Sequence, residues 1–374
     1  MDRKDKIKIL HIGNLKGGVD ICIRNILTFL PTDFEFVVVN GADDRNKPYI
    51  KNGHEVPSYK ISMFRPINLL NDIKALIQAV RILKKERPDL VHCHSAKGGV
   101  IGRLAAFMTG CKSVYTPHAF SFLSSENKCN KMIYRLIEKV AKLNSYLIGC
   151  SDSERLLGIQ QVGYLEQKTF AWTNSIPDIE VDQVKRPKGI VSDEKYIVTI
   201  ARPCYQKNPM LMVETMYLLH KQFPDVRLYV LGADFYSPLL EVMKQRIEVR
   251  GLKDTIKVLP WISHDEAMGY LKYAQLYLST SVYEGLPIAV LEAMALGKTV
   301  VASDVIGNRD CVKDSFNGRL LPLDAKMFAA ECGRLLADED ERHRMGKNAR
   351  TLFESDFLID NRIGYLERIY QQVI

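Results

Sequence analysis

Residues 281–304 read SVYEGLPIAVLEAMALGKTVVASD, and they govern how the rest of the chain is read. The apolar run 275–279 (QLYLS) predicts a strand just before them, and 299–302 (TVVA) predicts the next strand. Pro287 stands where the intervening helix should begin, after a loop holding Glu284 and Gly285. The first-turn amides of such a helix lack partners within it and carry the positive end of its dipole, so they suit a phosphate. Glu292, just over one turn beyond Pro287, reaches a ligand lying across the helix start. An ionised carboxylate only accepts hydrogen bonds, so beside a diphosphate its natural partners are vicinal sugar hydroxyls. One glutamate for each sugar of a nucleotide sugar accounts for the pair. An isolated E-x7-E spacing would support no more than a loop glutamate and a solvated helix glutamate.

The same alternation extends outward in both directions. Strand-like runs fall at 7–13, 34–39, 89–94, 112–116, 145–150 and 168–172, separated by helical runs near 19–30, 67–85, 97–108 and 126–143. Residues 177–195 are polar, contain proline and keep no period, which predicts a linker. A second series places strands near 196–201, 226–231, 255–259, 275–279 and 299–302. Its helices fall near 208–222, 236–249, 263–272 and 287–296, and helical runs at 324–353 and 358–372 close the chain. The expectation is α/β: a domain over 1–176 and another over 196–357, each a doubly wound parallel sheet, with a ligand cleft between them. At 374 residues, two cores rather than one are expected.

Bulk properties narrow the classes. The net charge of +8 favours anionic partners without naming one. Eight cysteines lie far apart with no C-x-x-C pair, which predicts free thiols in a reducing compartment. The N-terminus lacks the apolar core of a signal peptide and no run is long enough to span a bilayer. A cytoplasmic protein, touching membranes only at their surface, is therefore expected.

Further motifs carry chemistry. Residues 200–209 read IARPCYQKNP, where Arg202 offers a planar fork and Lys207 a compact cation for a departing diphosphate. In 11–20 (HIGNLKGGVD), Gly17 and Gly18 stand at a helix start, but the G-x-G-x-x-G dinucleotide spacing fails. His118, in VYTPHAF, follows a strand end. His92 and His94 share a strand face but lack an evident third ligand, and Asp338-Glu339-Asp340 lies in a helical region, so no metal site is expected. Lys128, Lys131, Arg135, Lys139 and Lys142 recur at helical intervals beside Met132, Leu136, Ile137 and Val140. That stripe reads as a solvated face or as a surface that docks on anionic lipid.

The segment EGLPIAVLEAMA followed by VASD resembles the E-x7-E motif of retaining GT-B glycosyltransferases of family GT4, and IARPCYQKNP resembles that family's G-R-L-x-x-Q-K-N-P loop, with Ala201 and Pro203 replacing glycine and leucine. The similarity implies two Rossmann-like domains facing across a cleft, the first completed by the C-terminal helix 358–374. It implies that Glu292 binds the ribose, Glu284 the donor sugar, and the amides around Gly285, Leu286 and Pro287 the distal phosphate. Arg202 and Lys207 would meet the diphosphate, Ile262 the base through its main chain, and Gly17 and Gly18 would lie near donor phosphate and acceptor. His118 matches the family's T-x-H-G histidine near the donor sugar, with Ala119 in place of glycine. Implied are a UDP-sugar or GDP-sugar donor, no required metal, and a glycan or polyprenyl-diphosphate-linked acceptor in bacterial surface polysaccharide assembly, with retention by front-face attack. A nucleotide-sugar epimerase of the same fold and a non-catalytic nucleotide-sugar-binding protein remain alternatives.

Overall fold

The computed structural model describes residues 6–44, 47–64, 66–192, 194–233 and 237–374. The chain divides into two compact units, Met1–Pro177 with Ile359–Ile374, and Asp178–Leu358. In the first unit the sheet strands are β1 (Ile7–Gly13), β2 (Phe34–Gly41), β3 (Ser58–Ile61), β4 (Leu90–His94), β5 (Lys112–Thr116), β6 (Tyr146–Gly149) and β7 (Thr169–Ala171). They lie in the order β3-β2-β1-β4-β5-β6-β7, every neighbouring pair parallel. Strands covered by helices on both faces are buried throughout, and all five residues of β4 are.

The second unit repeats the design with β8 (Tyr196–Ile200), β9 (Arg227–Leu231), β10 (Ile256–Leu259), β11 (Leu276–Ser279), β12 (Val300–Ser303) and β13 (Gly318–Leu321), ordered β10-β9-β8-β11-β12-β13. In each unit the strand order reverses beside the first strand, between β1 and β4 and between β8 and β11. Loops leaving the carboxyl ends there diverge to opposite faces and open a crevice for ligand. The loops after β8 and β11 are those that carry Arg202, Lys207 and Glu284.

The closing helix Ile359–Val373 belongs to the first unit's core. Leu366, Ile369, Tyr370 and Val373 are buried in one cluster with Ile9, Phe34 and Leu90, and Arg362 O accepts from Trp172 Nε1 at 3.1 Å. The stretch expected as a linker clusters instead with the second unit from Asp178 onward. Asp178 pairs with Arg350 at 2.6 Å, and Val181 O accepts from Lys272 Nζ at 2.7 Å. The helical run expected over 324–353 divides into Ala325–Ala337 and Glu339–Asp356, because Asp338 leaves helical geometry and caps the second helix through Glu341 N. All eight cysteines are free thiols.

Candidate active site

In the second unit, β11 delivers the loop 280–287 into the crevice, and Pro287 is the N-cap of the helix Ile288–Ala295. Proline carries no N–H, so Pro287 is not among the donors expected for the distal phosphate. The first-turn amides that no hydrogen bond engages among the described residues are those of Ile288 and Ala289. Glu284 is 4% exposed and Glu292 5%, so neither is the solvated residue that its position alone allows.

Buried carboxylates need partners, and Glu284 has a full set. Lys207 Nζ lies 2.6 Å from its Oε1, Ser281 Oγ donates to the same oxygen at 2.6 Å, and Gln206 Nε2 donates to Oε2 at 3.0 Å. Two residues given separate tasks by the sequence, Glu284 for the sugar and Lys207 for the diphosphate, thus form one ion pair. The loops that carry them are also joined by backbone, Val282 N donating to Gln206 O at 2.8 Å. Arg202 is half-buried, and among the described residues no hydrogen bond or ion pair engages its guanidinium, which leaves the fork available to an anion. Ala201 lies outside the positive-φ residues, so alanine fits where the family pattern has glycine.

Glu292 Oε1 accepts from His264 Nε2 at 2.9 Å, and this contact raises the imidazole's pKa. His264 opens the helix His264–Tyr273 directly after Ile262 and the N-cap Ser263, so the loop expected to meet the base is tied to the glutamate expected to meet the ribose. Gly307 backs the glutamate loop at φ +86°. A Cβ there would fall 2.7 Å from both Glu284 Cβ and Gly285 O, and Glu284 N donates to Ile306 O at 3.2 Å. Sequence reasoning missed His264, Gln206, Ser281 and Gly307. Only the Q-K pair in the 200–209 loop hinted at any of them.

In the first unit, Gly17 is the N-cap of the helix Gly18–Phe29, with φ +57° and open space where a Cβ would stand. His118 lies two residues beyond β5. It and Ala119 both take positive φ, +52° and +78°, which explains why glycine suits the second position. Glu154 holds that turn, Oε1 accepting from Ala119 N at 2.6 Å and Oε2 from Cys150 N at 2.8 Å. It is a positioning residue that the sequence did not reveal.

The expectation that His92 and His94 have no third histidine nearby is corrected by strand pairing, which sets His11 of β1 beside His92. Donor atoms of His11, His92 and His94 lie within 4.8 Å of one another, the only such metal-capable group among the described residues. Hydrogen bonds already occupy five of their six ring nitrogens, all but His11 Nε2. His11 Nδ1 meets His94 Nε2 at 2.9 Å, His94 Nδ1 meets His118 Nε2 at 3.0 Å, and His92 meets Tyr370 OH at 2.6 Å and Thr116 Oγ1 at 2.9 Å. We read the cluster as a hydrogen-bonded network.

The basic helix, Lys128–Ala141, is inverted relative to an ordinary surface helix. It turns Glu138 and Ala141 inward, while Met132, Leu136 and Val140 are 66%, 60% and 68% exposed. Buried Glu138 fixes this orientation: it accepts from Arg103 Nη2 at 2.9 Å and from Tyr115 OH at 3.0 Å. Lys128, Lys131 and Lys139 are exposed beside the apolar face. The expected stripe is shorter than five residues, because Lys142 Nζ is held by Gly163 O at 2.5 Å and half-buried Arg135 lies over the Phe122 ring. No helix among the described residues is long and apolar enough to cross a membrane.

Both units resemble known proteins. The family model described as Glycosyltransferase Family 4 matches residues 16–177, and that described as Glycosyl transferases group 1 matches residues 180–352. The chain is 28% identical, over 99% of its length and 98% of the relative's, to UDP-Gal:alpha-D-GlcNAc-diphosphoundecaprenol alpha-1,3-galactosyltransferase of Escherichia coli. It is 24% identical, over 88% of its length and 91% of the relative's, to the capsular polysaccharide biosynthesis glycosyltransferase CapH of Staphylococcus aureus. Sucrose-phosphate synthase of Thermosynechococcus elongatus shares the fold with a TM-score of 0.84 at 19% identity, covering 98% of this chain and 99% of that one. With a glycosyltransferase family model on each unit, a glycosyltransferase relative matched over almost its whole length and this shared fold, the chain is a GT-B glycosyltransferase.

Proposed function

We propose that this glycosyltransferase moves a hexose from a UDP-sugar onto a polyprenyl-diphosphate-linked glycan in bacterial surface polysaccharide assembly. The observation that carries the reading is the set of groups at the switch point of the second unit: two buried glutamates, a lysine, an unengaged arginine and the start of a helix. The base lies along the main chain at Ile262, Glu292 takes the ribose hydroxyls and Glu284 the hexose. Arg202, Lys207 and the amides of Ile288 and Ala289 receive the charge that grows on the leaving diphosphate. That cationic set does the work a divalent ion does in other transferases, so no metal is required. His118, Gly17 and Gly18 line the reacting end of the first unit, which takes the acceptor. Retention follows from attack on the face that the leaving phosphate vacates, with phosphate oxygen accepting the acceptor's proton. The Escherichia coli relative acts with UDP-Gal on a diphosphoundecaprenol-linked GlcNAc, which supports UDP among nucleotides and a lipid carrier among acceptors.

The inverted helix supports membrane docking. Apolar side chains turned to solvent and flanked by lysines match an anionic bilayer surface, where each lysine contributes about 1 kcal/mol. Mixing the protein with a panel of UDP-, GDP- and ADP-sugars, with and without a lipid-diphosphate GlcNAc acceptor, tests the assignment. We expect nucleotide release and a new glycosidic product only when acceptor is present. Interconversion of the donor without acceptor would assign an epimerase instead, and donor binding with neither transfer nor hydrolysis would assign a binding protein.

A further inference from the structure

Three histidines of the first unit form a chain with direction. His11 Nδ1 meets His94 Nε2 at 2.9 Å, and His94 Nδ1 meets His118 Nε2 at 3.0 Å. A neutral imidazole carries one N–H, so three rings sharing two contacts have only two polarities. In the outward one, His11 and His94 both donate from Nδ1, and His118, accepting at Nε2, keeps its proton on Nδ1. In the inward one, the last proton stands on His11 Nε2.

The two ends of the chain are unequal. His11 Nε2 is buried without a hydrogen-bond partner among the described residues, on a ring 5.8 Å from that of Phe36. A lone pair left there costs less than an N–H, since orphaned buried donors are rarer than under-satisfied acceptors. At the other end His118 is half-buried, and among the described residues no hydrogen bond engages its Nδ1. The neighbouring groups do not compete. The His92 ring lies 4.0 Å from that of His94, tilted by 32°, with its own nitrogens taken by Tyr370 and Thr116, and the Glu154 carboxylate accepts from the Ala119 and Cys150 amides. Burial holds His11 near 3 and His118 near 4, so both rings are neutral at neutral pH.

We propose that His94, backed by His11, is a positioning residue that locks His118 as the Nδ1–H tautomer, a fixed hydrogen-bond donor to an oxygen of the bound substrate. The donor's target rests on the transferase reading above; the tautomer does not. An unconstrained histidine favours the Nε2–H form, so the chain reverses the intrinsic preference.

Two-bond nitrogen–proton spectra of the full chain, labelled with 15N-histidine, read the tautomer directly without any variant. We expect the Nδ1–H pattern for His118, His94 and His11 in the wild type. In His94→Phe, His118 should change to the Nε2–H pattern while kcat falls about tenfold and the donor KM stays within twofold. A wild-type His118 with its proton on Nε2 would overturn the proposal. So would one equivalent of Zn2+ shifting His11, His92 and His94 together, since the cluster would then be a metal site. An inactive protein whose His118 is Nδ1-protonated counts against the reaction and leaves the tautomer standing.

Discussion

Glu292→Gln isolates the claim that this carboxylate grips sugar hydroxyls. The residue is 5% exposed and its Oε1 accepts from His264 at 2.9 Å, so an isosteric amide keeps both the packing and one acceptor for His264. What the amide loses is charge and the second acceptor. Hydrogen bonds to a charged group contribute about 1.5–3 kcal/mol, which predicts a rise in Kd for UDP of roughly 10- to 150-fold. Stability should not fall in parallel. The amide keeps the shape of the side chain and an acceptor for His264, and burial with the nearby glutamates pushes the Tyr277 phenol up, so Tyr277 is neutral beside either group. Isothermal titration with UDP measures the affinity and a thermal melt without ligand measures the fold. A Kd within twofold of wild type would refute the reasoning, and a weakened Kd with a matching drop in Tm would make Glu292 structural.

Lys207→Ala should lower kcat by about two orders of magnitude with a smaller change in donor affinity, measured by single-turnover transfer, because its charge matters most as the diphosphate departs. Gly307→Ala combines φ +86° with a Cβ 2.7 Å from Glu284 and Gly285, so it should cost roughly 2–3 kcal/mol in denaturant unfolding and weaken donor binding as well. Acid should unfold the first unit early. His11, depressed from 6.5 to about 3, stays neutral in the fold while the unfolded chain takes up its proton, so stability declines as pH drops from 6.5 toward 3. That loss is on the order of several kcal/mol, and His11→Phe should flatten it in urea titrations at stepped pH.

The fold was legible wherever burial on both faces forces apolar β-branched strands, as in β1, β4 and β8. Two of the strands missed, Ser58–Ile61 and Gly318–Leu321, lie at sheet edges, where Ser58, Lys60 and Arg319 break any apolar run. The helix Asp152–Leu157 has six residues, too few to display a period. In the candidate site, Glu284, Glu292, Arg202 and Lys207 could be named because each belongs to a local motif next to a strand end. His264, Glu154, Gly307 and His11 could not, because their roles arise from contacts between segments far apart in the chain or from a close backbone approach. The solvent-facing apolar surface of the helix Lys128–Ala141 was hidden for a related reason. Periodicity locates an apolar face, and only the buried Arg103–Glu138 pair decides that this face turns outward.

The measurement closest to the central claim is a crystal structure of the chain soaked with its nucleotide-sugar donor. We expect the diphosphate against Arg202, Lys207 and the amides of Ile288 and Ala289, the ribose on Glu292 and the hexose on Glu284. Nucleotide density seated instead on the Gly17–Gly18 turn of the first unit, with that set of groups vacant, would contradict the account.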